Sequence, residues 1–155
     1  MPDVRDEEDE EQTAIFQRGA DVGLLARQLF PGGVDASPLT PYLYQKSVAD
    51  TARFVSQGHK IIYEAAFQYE GILCAIDILV NKKNKWFAYE VKSSTSVKTP
   101  QIQDAALQYY VINNAGLNLE DFSIVHLNGD YVRHGALNIS KLFTPTSICH
   151  CRRRR

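Results

Sequence analysis

The chain has 155 residues, 45% of them hydrophobic and 23% charged, with a formal net charge of −1. That is the length of one domain with enough apolar material for a core, so the chain is no disulfide-stapled miniprotein. No run approaches the roughly 18 apolar residues of a membrane helix, and the near-neutral balance does not by itself point to a nucleic-acid partner.

Three cysteines without a CxxC pair fit a reducing compartment. The acidic N-terminus carries no apolar leader segment. A cytoplasmic protein without membrane association is the expectation. The balanced charge hides two blocks, acidic from Asp6 to Glu11 and basic from Arg152 to Arg155. Such blocks at chain ends read as solvated tails, and an arginine tail also adds sequence-independent affinity for phosphate. The expected organisation is an acidic tail over 1–12, one domain over 13–145 and a basic tail over 146–155.

In chain order, Ile15, Gly19, Val22, Ala26 and Leu29 recur at helical spacing, which predicts a helix from Thr13 to Phe30 ended by Pro31-Gly32-Gly33. A second helix is predicted over Tyr42 to Gln57, with Gly58 past its end. The period then changes. Lys60 to Tyr69 alternates, with Ile61, Tyr63, Ala65, Phe67 and Tyr69 expected on one face. Ile72 to Val80 is almost wholly apolar, as in a central strand buried on both sides. Trp86 to Ser93 reads as a third strand.

Pro100 opens a helix to Ala115, with Thr99 as N-cap and Gly116 as C-cap. Phe122 to Leu127 is a fourth strand. Asn128-Gly129 signals a hairpin, so Tyr131 to Gly135 is expected to return as a fifth. Ile139 to Phe143 reads as a short helical turn. A helix between the third and fourth strands implies a parallel pair. The expected class is α/β, a mixed sheet flanked by helices.

Strand register brings three acids together. With Glu70-Gly71 as a two-residue turn, Tyr69 pairs with Ile72 and Glu64 lies opposite Asp77. With Lys82 to Lys85 as a four-residue loop, Asn81 pairs with Trp86 and Asp77 lies opposite Glu90. Opposed residues share a face, and Lys92 projects with Glu90. Three neighbouring carboxylates repel one another unless a cation joins them. Hard oxygen donors without histidine or cysteine favour Mg²⁺ or Mn²⁺ over zinc. Such an ion polarises a phosphoryl oxygen and acidifies a bound water, beside which Lys92 can neutralise developing charge. Asp77 is the sharpest single signal, because an acid inside Ile-Leu-Cys-Ala-Ile-Asp-Ile-Leu-Val needs a partner.

Blander readings fit other residues. Cys74 reads as core packing, and Cys149-His150-Cys151 as an incidental tail. His126 and His134 read as satisfied or exposed histidines on strands. Lys82, Lys83 and Lys85 read as a solvated loop tip that could touch phosphate.

Asp77, then twelve residues, then Glu90-Val91-Lys92 resembles the motif of the PD-(D/E)XK nuclease superfamily. Within it the chain is similar to RecB-like exonucleases, including the nuclease type of CRISPR adaptation. Residues 18–26, Glu90 to Thr95, Gln108-Tyr109-Tyr110, Asn128 to Arg133 and Lys141-Leu142-Phe143 carry the likeness. The resemblance implies a restriction-endonuclease-like αβββαβ core and a metal-dependent deoxyribonuclease, expected to be an exonuclease leaving 5′-phosphates. It implies Asp77, Glu90, the carbonyl of Val91 and the preceding acid Glu64 as metal ligands. Lys92 would be the catalytic lysine. Gln108 would contact substrate or orient that lysine, and Tyr109 or Tyr110 would stand for the tyrosine of the same helix.

The chain departs from the pattern twice. Gly23 stands where many RecB-like members carry a histidine ligand, and the cysteines are too few for an iron–sulfur cluster. DNA is the implied partner, with other DNA-processing or CRISPR proteins beside it. The alternatives are a nucleic-acid-binding module without turnover, or a fragment of a larger DNA-processing protein. A third is a non-catalytic domain whose acids and Lys92 neutralise one another.

Overall fold

A computed structural model describes residues 19–149 of the chain. Both charged runs, the start of the first predicted helix, and His150 and Cys151 lie outside the described residues.

Helix α1 covers residues 19–26 and tightens into a 3₁₀ turn at Arg27–Leu29. The remaining elements follow in chain order. They are β1 (Val34–Asp35), α2 (Tyr44–Ser56), β2 (Ile61–Tyr69), β3 (Ile72–Lys82) and β4 (Lys85–Val91), then α3 (Thr99–Asn114), β5 (Leu119–Leu127), α4 (Ile139–Leu142) and β6 (Phe143–Ser147). The protein is α/β, with one six-stranded mixed sheet in the order β1-β2-β3-β4-β5-β6. The β1–β2 and β4–β5 pairs are parallel and the others antiparallel. Helix α3 makes the crossover from β4 to β5, as the sequence predicts. Among the described residues no helix is long and apolar enough to cross a membrane.

The sheet buries two apolar faces. On one, Ile62, Leu79, Ala88, Phe122 and Ile124 meet Phe54 and Val55 of α2 and Ala105, Val111 and Ile112 of α3. On the other, Tyr63, Ile78, Val80, Tyr89 and Val125 meet Ala26 and Leu25 of α1 and Leu142 of α4. Fully burying an aliphatic or Phe side chain of this kind contributes about 1.5–3 kcal/mol relative to leaving it exposed, so both helical layers are held mainly by the sheet.

Helix α2 is also tied to β2 by polar contacts. The Thr51 hydroxyl, 1% exposed, donates to the Ser47 carbonyl at 2.8 Å and accepts the Ala66 N–H at 2.9 Å. Thr51→Val leaves that strand N–H buried and unpaired. It should lower stability by about 1–3 kcal/mol in a denaturant titration, without altering the carboxylate cluster described below.

Several sequence expectations change. The strand expected at Tyr131 to Gly135 is absent, and Val132 there is 66% exposed. Asn128 explains why. Its side chain accepts the Asp130 N–H at 3.0 Å and donates to the Lys141 carbonyl at 3.1 Å, so the turn closes onto α4 instead of reversing the strand. The returning strand is β6, whose Pro145 is tolerated because β6 is a sheet edge. The sheet therefore runs past residue 145, the expected end of the domain. Strand β1 was not expected, being two residues long.

The loop expected over Lys82 to Lys85 is shorter. Lys82 pairs with Lys85, and Lys83-Asn84 form the turn with φ of 52° and 63°. The pairing of Asn81 with Trp86 survives, because both loops are centred on the same point. Lys82 is exposed, as expected of the loop tip, but its ammonium folds back onto the sheet. It lies over the rings of Phe30, Phe87 and Tyr89 and donates to the Tyr89 hydroxyl at 3.0 Å. At α3 the N-cap is Lys98, whose N–H is accepted by the Gln101 side chain at 3.0 Å, and Thr99 is the first helical residue.

The single-face alternation expected for β2 also breaks. Ile61 and Tyr63 pack with α1, whereas Ala65, Phe67 and Tyr69 join the α3 side. Strand β3 does the same, Ile78 lying on the α1 side and Ile76 on the α3 side. Both strands switch faces at one level of the sheet, marked by Glu64 and Asp77. Glu64 has φ of +53°, a left-handed conformation that costs a non-glycine residue roughly 1–2 kcal/mol. Backbone strain of this kind gathers at functional sites.

Candidate metal centre

The face switch occurs where two strands part. Pairing of β3 with β4 runs from Lys82/Lys85 to Ile78/Tyr89 and ends there. One step further, the side chain of Asp77 replaces a backbone partner, its Oδ2 accepting the Val91 N–H at 2.7 Å. Strand β4 stays joined to β5, where Val91 pairs with Val125 and the Lys92 N–H reaches the Val125 carbonyl at 2.8 Å. The register expected from the two turns thus brings Glu64, Asp77 and Glu90 to one level of three adjacent strands. Tyr63/Ile78 and Ala65/Ile76 flank the first pair in constant register.

The acids feel one another strongly. Burial raises the Glu90 carboxyl to about 8, with repulsion from Asp77 adding to it and Lys92 opposing it. Burial raises Glu64 to about 7, Asp77 pushing the same way and Arg27 opposing. Asp77 is also raised by burial, against the Val91 N–H and Lys92, which favour its charged form. Lys92 Nζ lies 3.5 Å from Glu90 Oε1. The second Glu90 oxygen, Oε2, is buried and has no hydrogen-bond partner.

This donor set fits a divalent cation. Two half-buried acids on adjacent strands offer hard oxygen, and one of those oxygens, Glu90 Oε2, is buried and unpartnered. Mg²⁺ is commonly held by only one or two carboxylates plus water. Among the described residues no three His, Cys, Asp or Glu side chains form a ready-made ion cage. The fit therefore rests on Asp77 and Glu90, with Glu64 at the edge and the backbone of Val91 held alongside by Asp77.

Other expected site residues lie apart from this core in different degrees. Gln108, on α3, lines a cleft of about 290 Å³ with Ile72, Leu73, Cys74, Ala75, Asp104 and Leu107, and its Oε1 is buried without a partner. The cleft adjoins the acids through Cys74, whose thiol is raised to about 11 by burial and by the charge of Glu90. Tyr110 is 45% exposed and meets Tyr69 edge-on at 5.9 Å. Tyr109 instead packs against the core. His126 is satisfied, sharing hydrogen bonds with Thr146 Oγ1 at 3.0 Å and the Leu127 carbonyl at 3.1 Å. His134 lies exposed in the loop after β5.

Sequence reasoning missed Arg27. Its guanidinium lies 3.8 Å from Glu64 Oε1, forms an ion pair with Asp35 at 2.9 Å, and covers the Tyr63 ring at 4.6 Å. A signal existed: Arg27 follows Gly23 by four residues, so α1 and its closing turn carry it to the same side of the helix.

No protein-family model matches the chain, and no curated protein matches it.

Proposed function

We propose that the protein is a metal-dependent deoxyribonuclease of the PD-(D/E)XK type, a RecB-like exonuclease with a restriction-endonuclease-like core. The observation that carries the reading is the half-buried Asp77–Glu90 pair beside Lys92, set where β3 and β4 part, with Glu90 Oε2 unpartnered. The order of β2, β3, β4, α3 and β5 agrees with the core that the motif implies.

In this reading Asp77 and Glu90 would hold Mg²⁺ or Mn²⁺ together with the Val91 carbonyl, and Glu64 would be a weaker contributor at the edge that the site can spare. The bound ion supplies a Lewis acid and a water acidified for attack on phosphorus. Lys92, held within reach of Glu90, orients that water or neutralises the charge that grows on the phosphate oxygens. Gln108 reaches the substrate from α3, and Tyr110 offers an exposed ring against which a base can stack. Partial burial of the cluster, the Glu90 side chain being 15% exposed, strengthens these electrostatic contacts.

The test is cleavage of linear and circular, single- and double-stranded DNA with Mn²⁺ or Mg²⁺. Asp77→Ala and Lys92→Ala should each abolish it. Retained cleavage in either variant overturns the assignment. Loss of linear DNA with circular DNA intact establishes dependence on ends.

A further inference from the structure

We propose that Arg27 restricts the carboxylate cluster to one divalent cation, by standing as a permanent positive charge on its Glu64 side. The inference rests on the metal-centre reading above and concerns how many ions that centre takes.

Arg27 is placed by three contacts that do not depend on an ion. Asp35 Oδ2 holds Nη1 at 2.9 Å, and the Tyr63 ring lies under the guanidinium at 4.6 Å. Nη2 then reaches Glu64 Oε1 at 3.8 Å. Each support is itself anchored. Asp35 Oδ1 accepts the Ser37 N–H at 2.8 Å and also the Ser37 hydroxyl. The Tyr63 hydroxyl donates to the Phe30 carbonyl and accepts the Gly33 N–H at 3.1 Å. The Arg27 side chain is only 21% exposed. A guanidinium is planar, delocalised and permanently charged.

Charge decides the count. Asp35, Glu64, Asp77 and Glu90 are four carboxylates, and Arg27 and Lys92 are the two cationic groups paired with them. Fully ionised, the group carries two negative charges, which one divalent ion balances. A second ion would leave the cluster net positive beside a fixed guanidinium, in a setting where burial strengthens the repulsion. It would also need the Glu64 carboxylate whose Oε1 faces Arg27. One ion between Asp77 and Glu90 meets neither obstacle.

The experiment counts Mn²⁺ bound per intact chain, without DNA, by equilibrium dialysis and by the loss of the free-ion paramagnetic resonance signal. Wild type should saturate at one ion, lost in Asp77→Asn. Arg27→Met keeps the stem over Tyr63 and removes the charge, and it should take up a second ion. Arg27→Lys should stay at one. Circular dichroism verifies that each variant is folded, and should Arg27→Met fail to fold, Glu64→Gln read against wild type takes its place. That variant should still bind one ion, since the ion lies between Asp77 and Glu90. Two ions of similar affinity on wild type overturn the inference, as do Arg27→Met behaving like wild type and Glu64→Gln losing the ion. An absence of Asp77-dependent Mn²⁺ binding overturns the metal-centre reading as well, which separates the two failures.

Discussion

Glu90→Gln should abolish DNA cleavage and, in the same protein, raise the melting temperature measured without metal. Glutamine keeps the shape of the side chain and an oxygen for Lys92, 3.5 Å from Glu90 Oε1 in the native chain. It removes an acid whose ionised form burial and Asp77 both disfavour, and whose second oxygen is unpartnered. The gain is of order 1 kcal/mol, about 2–4 °C for a chain of this size. The loss of activity is far larger. Metal-assisted hydrolysis draws several kcal/mol from the ion's charge, and each 1.36 kcal/mol is ten-fold in rate, so a fall of about 10³-fold or more is expected. Thermal melts in a chelator and cleavage assays in Mn²⁺ check the two halves. A variant that cleaves as wild type does, or melts lower without metal, contradicts the role given to Glu90. Opposite signs for stability and activity separate a strained functional acid from a structural one, whose loss lowers both.

The same residues show why the site was more legible than the fold around it. Register follows from turn length, and turn length can be counted. Glu70-Gly71 takes φ of 49° and 76° in the two-residue turn that the sequence implied. Lys82 to Lys85 was read as a longer loop, but a symmetric shortening leaves every pairing unchanged, so Asp77 still falls opposite Glu90 in count. What counting cannot give is the twist at that level. Glu64 carries no backbone signature, and glutamate is not a residue from which a positive φ is anticipated. The face switch, and with it the packing of Ala65 and Ile76 toward α3, was therefore invisible. Arg27 was hidden for another reason. Its neighbours Asp35, Tyr63 and Glu64 lie 8, 36 and 37 positions away, and their proximity depends on the two-residue strand β1, too short for any periodicity. Strand β6 was missed because Pro145 argues against a strand everywhere except at an edge, and edge position is a property of the assembled sheet.

The pH dependence of stability should largely vanish when metal is added. In the unfolded chain Glu64 and Glu90 ionise near the ordinary 4.5, whereas in the folded chain burial holds them near 7 and 8. Between those values the folded form binds more protons than the unfolded form, so stability falls as pH rises. Their favourable contribution is full below about 4.5 and is lost as pH climbs through 7 to 8. Asp77, raised in the same direction, adds to the slope. Asp35 and Asp50 are shifted the other way by their hydrogen bonds and ion pairs, but their exchange lies at or below 3.8, outside this window. The melting temperature without metal should therefore drop by several degrees from pH 5 to pH 8. With Mn²⁺ or Mg²⁺ the ion and the protons compete for the same oxygens. Raising pH strips the protons and strengthens ion binding, which offsets the stability lost with those protons. Calorimetric melts across that range should fall with chelator and stay nearly flat with excess Mn²⁺, since neither the ion-bound folded form nor the unfolded chain holds those protons. Glu90→Gln should flatten the first slope and remove most of the stabilisation by the ion. Parallel slopes with and without metal would mean that the ion, if it binds, does so away from these acids. A flat profile without metal would mean that the acids are solvated enough to ionise normally, and the charge argument for a cation among them would lose its basis.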